Sequence, residues 1–216
     1  MRVSRAGEGR SLAATARRAQ IVAATIETIA ELGYPQTSFA RIAERAGLSS
    51  TRLISYHFAG KDELIGAVVT EVHQAIGRFM TERLAGRPDA RSALRAYITG
   101  VVEFVAEHRA QMQALMEIFL DFRGQDGDGG SYDAATERQV LGSLEEILRW
   151  GQATGEFRDF DTFVMAATVQ RSVDGLPFLL RTEPDLDLSR YADELATIFD
   201  LATRNRHPLS EGGDAR

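Results

Sequence analysis

Residues 37–61, TSFARIAERAGLSSTRLISYHFAGK, constrain this chain more tightly than any other stretch. They predict two short helices joined by a tight turn. In the first, Phe39, Ile42, Ala43 and Ala46 fall at i, i+3, i+4 and i+7, the spacing of one buried face. Thr37 or Ser38 caps its start, because a side-chain oxygen there accepts from a free backbone N–H. Gly47 ends it, since glycine reaches the left-handed conformation at little steric cost. Ser49 or Ser50 caps the second helix, in which Leu53, Ile54 and Phe58 are expected to point inward. Thr51, Arg52, Ser55, Tyr56 and His57 are left for its outer face. A helix this short is not stable alone, so neighbours must hold it. Its hydroxyls, guanidinium, phenol and imidazole can all meet base edges or phosphates. The pattern is that of a helix-turn-helix whose second helix reads DNA. The candidate contacts are Thr37, Ser38, Ser49, Ser50, Thr51, Arg52, Ser55, Tyr56 and His57.

Charge supports that expectation. The whole chain carries −6, which alone argues against non-specific nucleic-acid binding. Residues 1–61, however, hold nine Lys+Arg against four Asp+Glu, while the remainder holds 16 against 27. The split is that of a basic nucleic-acid module on an acidic body. Residues 1–14 are rich in Arg, Gly, Ser and Ala and are expected to form a disordered basic tail. Arg2, Arg5 and Arg10 are its cations, and Arg17 and Arg18 follow on the first helix, at 15–32. Gly33 and Pro35 stop that helix.

The run from Ile21 to Leu64 resembles the N-terminal domain of TetR-type transcriptional regulators. The resemblance rests on the helix ending in Leu32-Gly33-Tyr34, on the IAERAGLS turn and on SYHFAGKDEL, together about a fifth of the chain. The interval from Gly47 to Phe58 is one residue longer than the family's usual pattern, with the extra residue in the Ser49-Ser50-Thr51 turn. The resemblance implies that Lys61, the chain's one lysine, touches a DNA phosphate. It also implies a homodimer, an inverted-repeat operator and a body that encloses a small molecule.

The body reads as helical throughout, over 61–84, 90–107, a segment through Phe122, 132–154, 161–181 and 188–204. Pro177 is expected to kink the penultimate helix near Val173. No alternating strand pattern occurs, so the class is all-α: a three-helix DNA-binding domain at 15–61, a larger ligand-binding and dimerisation domain at 62–206, and a polar tail at 207–216. Candidate ligand residues are Phe79, Phe104, His108, Met112, Met116, Phe119, Trp150, Gln170, Asp174 and Phe178, a methionine and aromatic cluster with a few polar groups. At helical spacing such a stripe is more often plain core, and it is the resemblance that implies a pocket there. The last two long helices carry more apolar surface than one body covers. Leu176, Leu180, Tyr191, Leu195, Ile198 and Phe199 are therefore expected at a dimer interface.

Enzymatic readings find no support. Cysteine is absent, which excludes disulfides, thiolate metal sites and cysteine catalysis. The four histidines are far apart, and no G-x-S-x-G, P-loop or strand-anchored G-x-G-x-x-G occurs. The loop GQDGDGG, at 124–130, lacks the run of a calcium site. No cofactor or metal is expected. No apolar run approaches membrane-spanning length and no leader pattern is present, so the cytoplasm is the expected compartment. The reading is a ligand-responsive DNA-binding repressor. The alternative is an all-α ligand-binding or scaffold protein whose helix-turn-helix is structural only.

Overall fold

The computed structural model describes residues 5–122 and 134–205. Among the described residues ten α-helices run in order: α1 (Arg5–Leu32), α2 (Phe39–Arg45), α3 (Arg52–His57), α4 (Lys61–Leu84), α5 (Ala90–Glu107), α6 (Arg109–Phe122), α7 (Ala134–Ala153), α8 (Thr162–Asp174), α9 (Leu176–Thr182) and α10 (Leu188–Thr203). A 3-10 turn, Tyr34–Gln36, joins α1 to α2. No strand occurs among the described residues beyond one isolated bridge between Phe157 and Arg204. The all-α class is as expected.

Two compact units form. The first contains residues up to Ala75 and the segment from His108 to Ser131. The second contains Ile76–Glu107 and everything from Tyr132 onward. This grouping follows packing and passes through the middle of α4, whereas the functional division expected at 61/62 follows the motif.

In the first unit α1 is buried along two faces. Ile21, Val22, Ile26 and Ile29 are each at most 6% exposed, and Ala24, Thr25 and Thr28 extend the buried surface around the helix. One side meets α2 and α3, the other α6. The two buried threonines lose nothing by this, because Thr25 Oγ1 donates to Ile21 O at 2.7 Å and Thr28 Oγ1 to Ala24 O at 2.6 Å. α1 also begins at Arg5, ten residues before the expected start, which corrects the reading of 5–14 as a disordered tail. Once the buried half of a helix is nucleated, each further residue closes one more hydrogen bond, and Ala, Leu and Arg are good helix formers. Residues 1–4, the loop 124–130 and the tail from 207 lie outside the described residues.

The second unit is built on α5. Its buried positions include Leu94, Tyr97, Ile98, Val102, Phe104 and Val105, with Ala90, Ala93, Ala96 and Gly100 where neighbours come close. α10, α7 and α8 pack around it. A methyl group at Gly100 would meet Met80 Sδ at 3.2 Å. The expected kink at Pro177 is instead a complete break. Proline has no N–H for the Val173 carbonyl, and Gly175 N donates there instead. α8 stops at Asp174, and α9 restarts with Pro177 in its first turn, where a missing N–H is no loss.

The α7–α8 connection is fixed by Phe157, which is 3% exposed and folds back onto α7 at Gly151. A Cβ at Gly151 would overlap the Phe157 ring. In an open helix Gly→Ala stabilises by up to about 1 kcal/mol. Here overpacking reverses the sign, and Gly151→Ala should cost about 1–3 kcal/mol in urea unfolding. A gain in stability would show that Phe157 does not occupy this place.

Candidate nucleic-acid interface

α3 is held at both ends and along its packed side within the first unit. Ile54 and Phe58 are the buried anchors, 0% and 1% exposed. Ser38 caps α2, accepting from Arg41 N at 3.4 Å. Gly47, at φ +62, turns the chain out of α2, where an L-residue would be strained. Ser50 Oγ accepts from Arg52 N at 3.1 Å and tightens the entry to α3. Thr51 already has helical dihedrals where the chain enters α3.

The far end of α3 is tied by Arg18. Its Nη1 donates to His57 O at 2.6 Å, its guanidinium lies 4.0 Å from the centroid of the Phe58 ring, and Nη2 meets Glu63 Oε1 at 3.0 Å. Glu63 Oε2 in turn accepts from Ala59 N at 2.7 Å. Arg18 is therefore a brace between α1, the end of α3 and the start of α4, with its side chain 42% exposed. The α3 carbonyl it satisfies is one that a helix end leaves without an intrahelical partner. The backbone N–H of Ala59 and the Arg18 guanidinium hold the Glu63 carboxyl below its usual range.

On the open side of α3, Arg52, Ser55 and Tyr56 are exposed, Tyr56 by 81%, and lie at i, i+3 and i+4 on one face. Ser38, Ser49, Ser50 and Thr51 are also exposed beside them in sequence. His57 is half-buried, its ring edge-on to Tyr56. Two expectations are corrected. Thr37 is 4% exposed and its hydroxyl donates to Gly33 O at 2.9 Å, so it closes the 3-10 turn and offers nothing to a ligand. Leu53 is not inward but 37% exposed, because only Ile54 and Phe58 fall on the packed side of so short a helix. Lys61 is half-buried, with Nζ 4.0 Å from the centroid of the Tyr34 ring. That contact had no signal in the local pattern, since the two residues lie 27 apart.

The ten expected ligand residues divide between the units. His108, Met112, Met116 and Phe119 belong to the first, and the other six to the second. Phe119 stands beside His73 at 6.4 Å between ring centroids, and burial pushes the His73 imidazole pKa down. In the second unit Phe79 and Phe104 meet edge to face at 5.4 Å. Trp150 and Phe178 are surface residues, 38% and 39% exposed. Gln170 is buried and spoken for: it accepts from Tyr97 Oη at 2.8 Å and donates to Asp174 at 2.7 Å. Asp174, raised in pKa by burial, also takes Arg171 at 2.7 Å, and Arg171 reaches Glu137 as well. A separate open cleft of about 650 Å³ in the second unit is lined by Asp89, Arg91, Arg95, Glu156 and Asp200 among others, and by none of the ten.

Of the expected dimer residues, Leu176 and Phe199 are buried within the chain, at 0% and 6% exposure, and are corrected to core. Leu195 packs on the same core, and Tyr191 Oη donates to Ser172 O at 3.1 Å. Leu180 is partly buried, and Ile198 is 53% exposed. Among the described residues no helix is long and apolar enough to cross a membrane, and no metal-binding cluster occurs.

Residues 21–68 match the family described as bacterial regulatory proteins, tetR family. The HTH-type transcriptional regulator BetI of Burkholderia ambifaria is 41% identical over 83 residues, 38% of this chain and 42% of the relative. The chain thus spans about two fifths of the curated relatives it matches. Among solved structures, the ketosteroid transcriptional regulator KstR2 of Mycobacterium tuberculosis superposes with a TM-score of 0.69 at 18% identity, covering 88% of this chain and 95% of that one. AibR, solved in complex with isovaleryl coenzyme A and operator DNA, gives 0.71 at 18% identity over 84% and 97%. Likeness at this identity shows a shared fold.

The Arg18–Glu63 brace has a pH signature. A carboxyl whose folded pKa is depressed contributes stability that is full above its unfolded pKa and is lost as pH falls through the folded one. Glu63→Gln should lower the unfolding temperature at pH 7, and the gap to the unsubstituted chain should close as pH drops below about 4, the ordinary carboxylate range. A gap that persisted at pH 2 would mean that the charge of Glu63 plays no part.

Proposed function

Starting from the tetR-family regulatory domain at residues 21–68, we propose that this chain is a homodimeric, ligand-responsive DNA-binding repressor. The observation that carries the reading is the exposed face of Arg52, Ser55 and Tyr56 on a helix too short to exist except as a presented element. The basic excess of residues 1–61 supports it. Arg52 makes a base or phosphate contact, and Lys61 a phosphate contact.

A second copy covers the apolar surface of the second unit. Phe163 and Val164 on α8, Phe178 and Leu179 on α9, and Ile198 and Leu201 on α10 are 36–58% exposed. Six large apolar side chains left in water on three successive helices are what a two-fold helical interface buries. Two reading heads about 34–36 Å apart then enter successive major grooves, and the operator is an inverted repeat. A small, largely apolar molecule that binds better to a state with wrongly spaced heads releases the DNA, at a typical coupling of about 1–3 kcal/mol.

A gel shift with DNA from upstream of its own gene tests the reading. A retarded band competed by an inverted repeat is expected, and its absence at low salt leaves the structural-scaffold reading in place. Arg52→Ala should weaken binding by about 1–3 kcal/mol, with relaxed preference at one base pair if the guanidinium is bidentate to guanine. In sedimentation the chain should run as a dimer at micromolar concentration. Val164→Glu with Ile198→Glu should give monomers, because both positions are exposed within one chain and the added charges meet only across the interface. A dimer that survived this pair would move the interface off α8 and α10.

A further inference from the structure

Lys61 is the one lysine of the chain, and its ammonium is not left to wander. Nζ sits 4.0 Å from the centroid of the Tyr34 ring and donates to Tyr34's own carbonyl at 3.5 Å. A single residue therefore fixes it twice, by ring face and by main chain. An ammonium has three donors, so a carbonyl and a ring face leave capacity for an incoming acceptor.

The holder is itself rigid. Tyr34 is 8% exposed. Its turn is closed by Thr37 N donating to Tyr34 O at 3.1 Å and by the Thr37 hydroxyl on Gly33 O. Gly33 enters the turn at φ +80, and a methyl there would come within 3.5 Å of the Glu117 carboxylate on α6. α1 and α6 both pack on the turn. Burial first, then the charges of Asp121 and Asp62, push the Tyr34 phenol pKa up, so the ring remains a neutral phenol against the cation.

We propose that Tyr34 is the positioning residue for Lys61, setting the ammonium before DNA arrives so that the phosphate contact is made without ordering a free lysine chain. The inference rests on residues 37–61 being a DNA interface. Four rotatable bonds of a lysine are costly to fix on binding, and fixing them in the free protein moves that cost out of the association step. Tyr34 touches no DNA in this scheme and acts only through Lys61.

The test is a double-substitution cycle on operator binding by the full chain, followed by fluorescence anisotropy over a range of salt. Lys61→Gln should reduce the slope of log affinity against log salt by about one. Tyr34→Phe, which keeps the ring and the carbonyl, should bind within about twofold of the unsubstituted chain. Tyr34→Leu should weaken binding about three- to fivefold, the scale of a cation–ring contact at a half-exposed site. Added to Lys61→Gln, it should weaken binding no further. Tyr34→Met, a flexible filler of the same pocket, replaces the leucine variant if that one melts at a markedly lower temperature. Equal losses in both backgrounds, or no loss in either, would overturn the proposal while the DNA-binding reading stands. If the unsubstituted chain bound no upstream DNA at any salt, the reading itself would fail and take this inference with it.

Discussion

The exposed polar face of the first unit is carried by a six-residue helix that cannot hold its own shape. Forming α3 in isolation fixes several residues for very few hydrogen bonds. What orders it is burial of Ile54 and Phe58 and the grip of Arg18, on α1, on its last carbonyl. Each fully buried side chain of that size contributes about 1.5–3 kcal/mol relative to exposure. The exposed side chains of α3 are thereby free of structural duty. Arg52, Ser55 and Tyr56 are available for recognition because Ile54 and Phe58 carry the packing.

Local pattern was enough to find α2, α3 and the caps between them, because Phe39, Ile42, Ala43 and Ala46 recur at helical spacing and Gly47 and Ser38 mark the ends. It also found the other long helices of the body to within a few residues, but ran α8 and α9 together as one helix. It failed where the answer lies in distant partners. Val22, Ile26 and Ile29 recur at helical spacing on α1, yet Ala24, Thr25 and Thr28 are buried too, because α6 returns to cover a second face. Threonines on an α-helix read as solvated until their back-bonding to the i−4 carbonyl is seen. Leu53 failed for the opposite reason: an apolar residue was assigned inward on a helix with room for only two anchors.

The candidate site shows the same division. Residue types named the outer face of α3, while Thr37 proved to be buried in the 3-10 turn and the hydroxyls of Ser38 and Ser50 accept from backbone N–H groups at the helix starts. The ligand residues were chosen on chemistry without geometry. Trp150 and Phe178 are at the surface, and Gln170 and Asp174 already satisfy one another, with Tyr97 and Arg171 completing the chain of contacts. A buried polar network of that kind costs little only while every member is paired. Phe163, Val164, Ile198 and Leu201 illustrate the converse: periodicity finds apolar residues but cannot say which of them a single chain leaves uncovered.

The first unit is discontinuous, with residues 76–107 set between Ala75, in the middle of α4, and the α6 segment that completes it. During synthesis the chain leaves the ribosome at about 5–20 residues per second. All of α1 to α4 is therefore out several seconds before α6 exists to cover the second face of α1. In that interval Ile21, Ala24 and their neighbours are wet, and the nascent segment is open to chaperones and to other nascent copies of itself. A fragment ending near residue 75 would stay in that condition permanently. The reading head, local as its motif looks, is completed only by a segment made later.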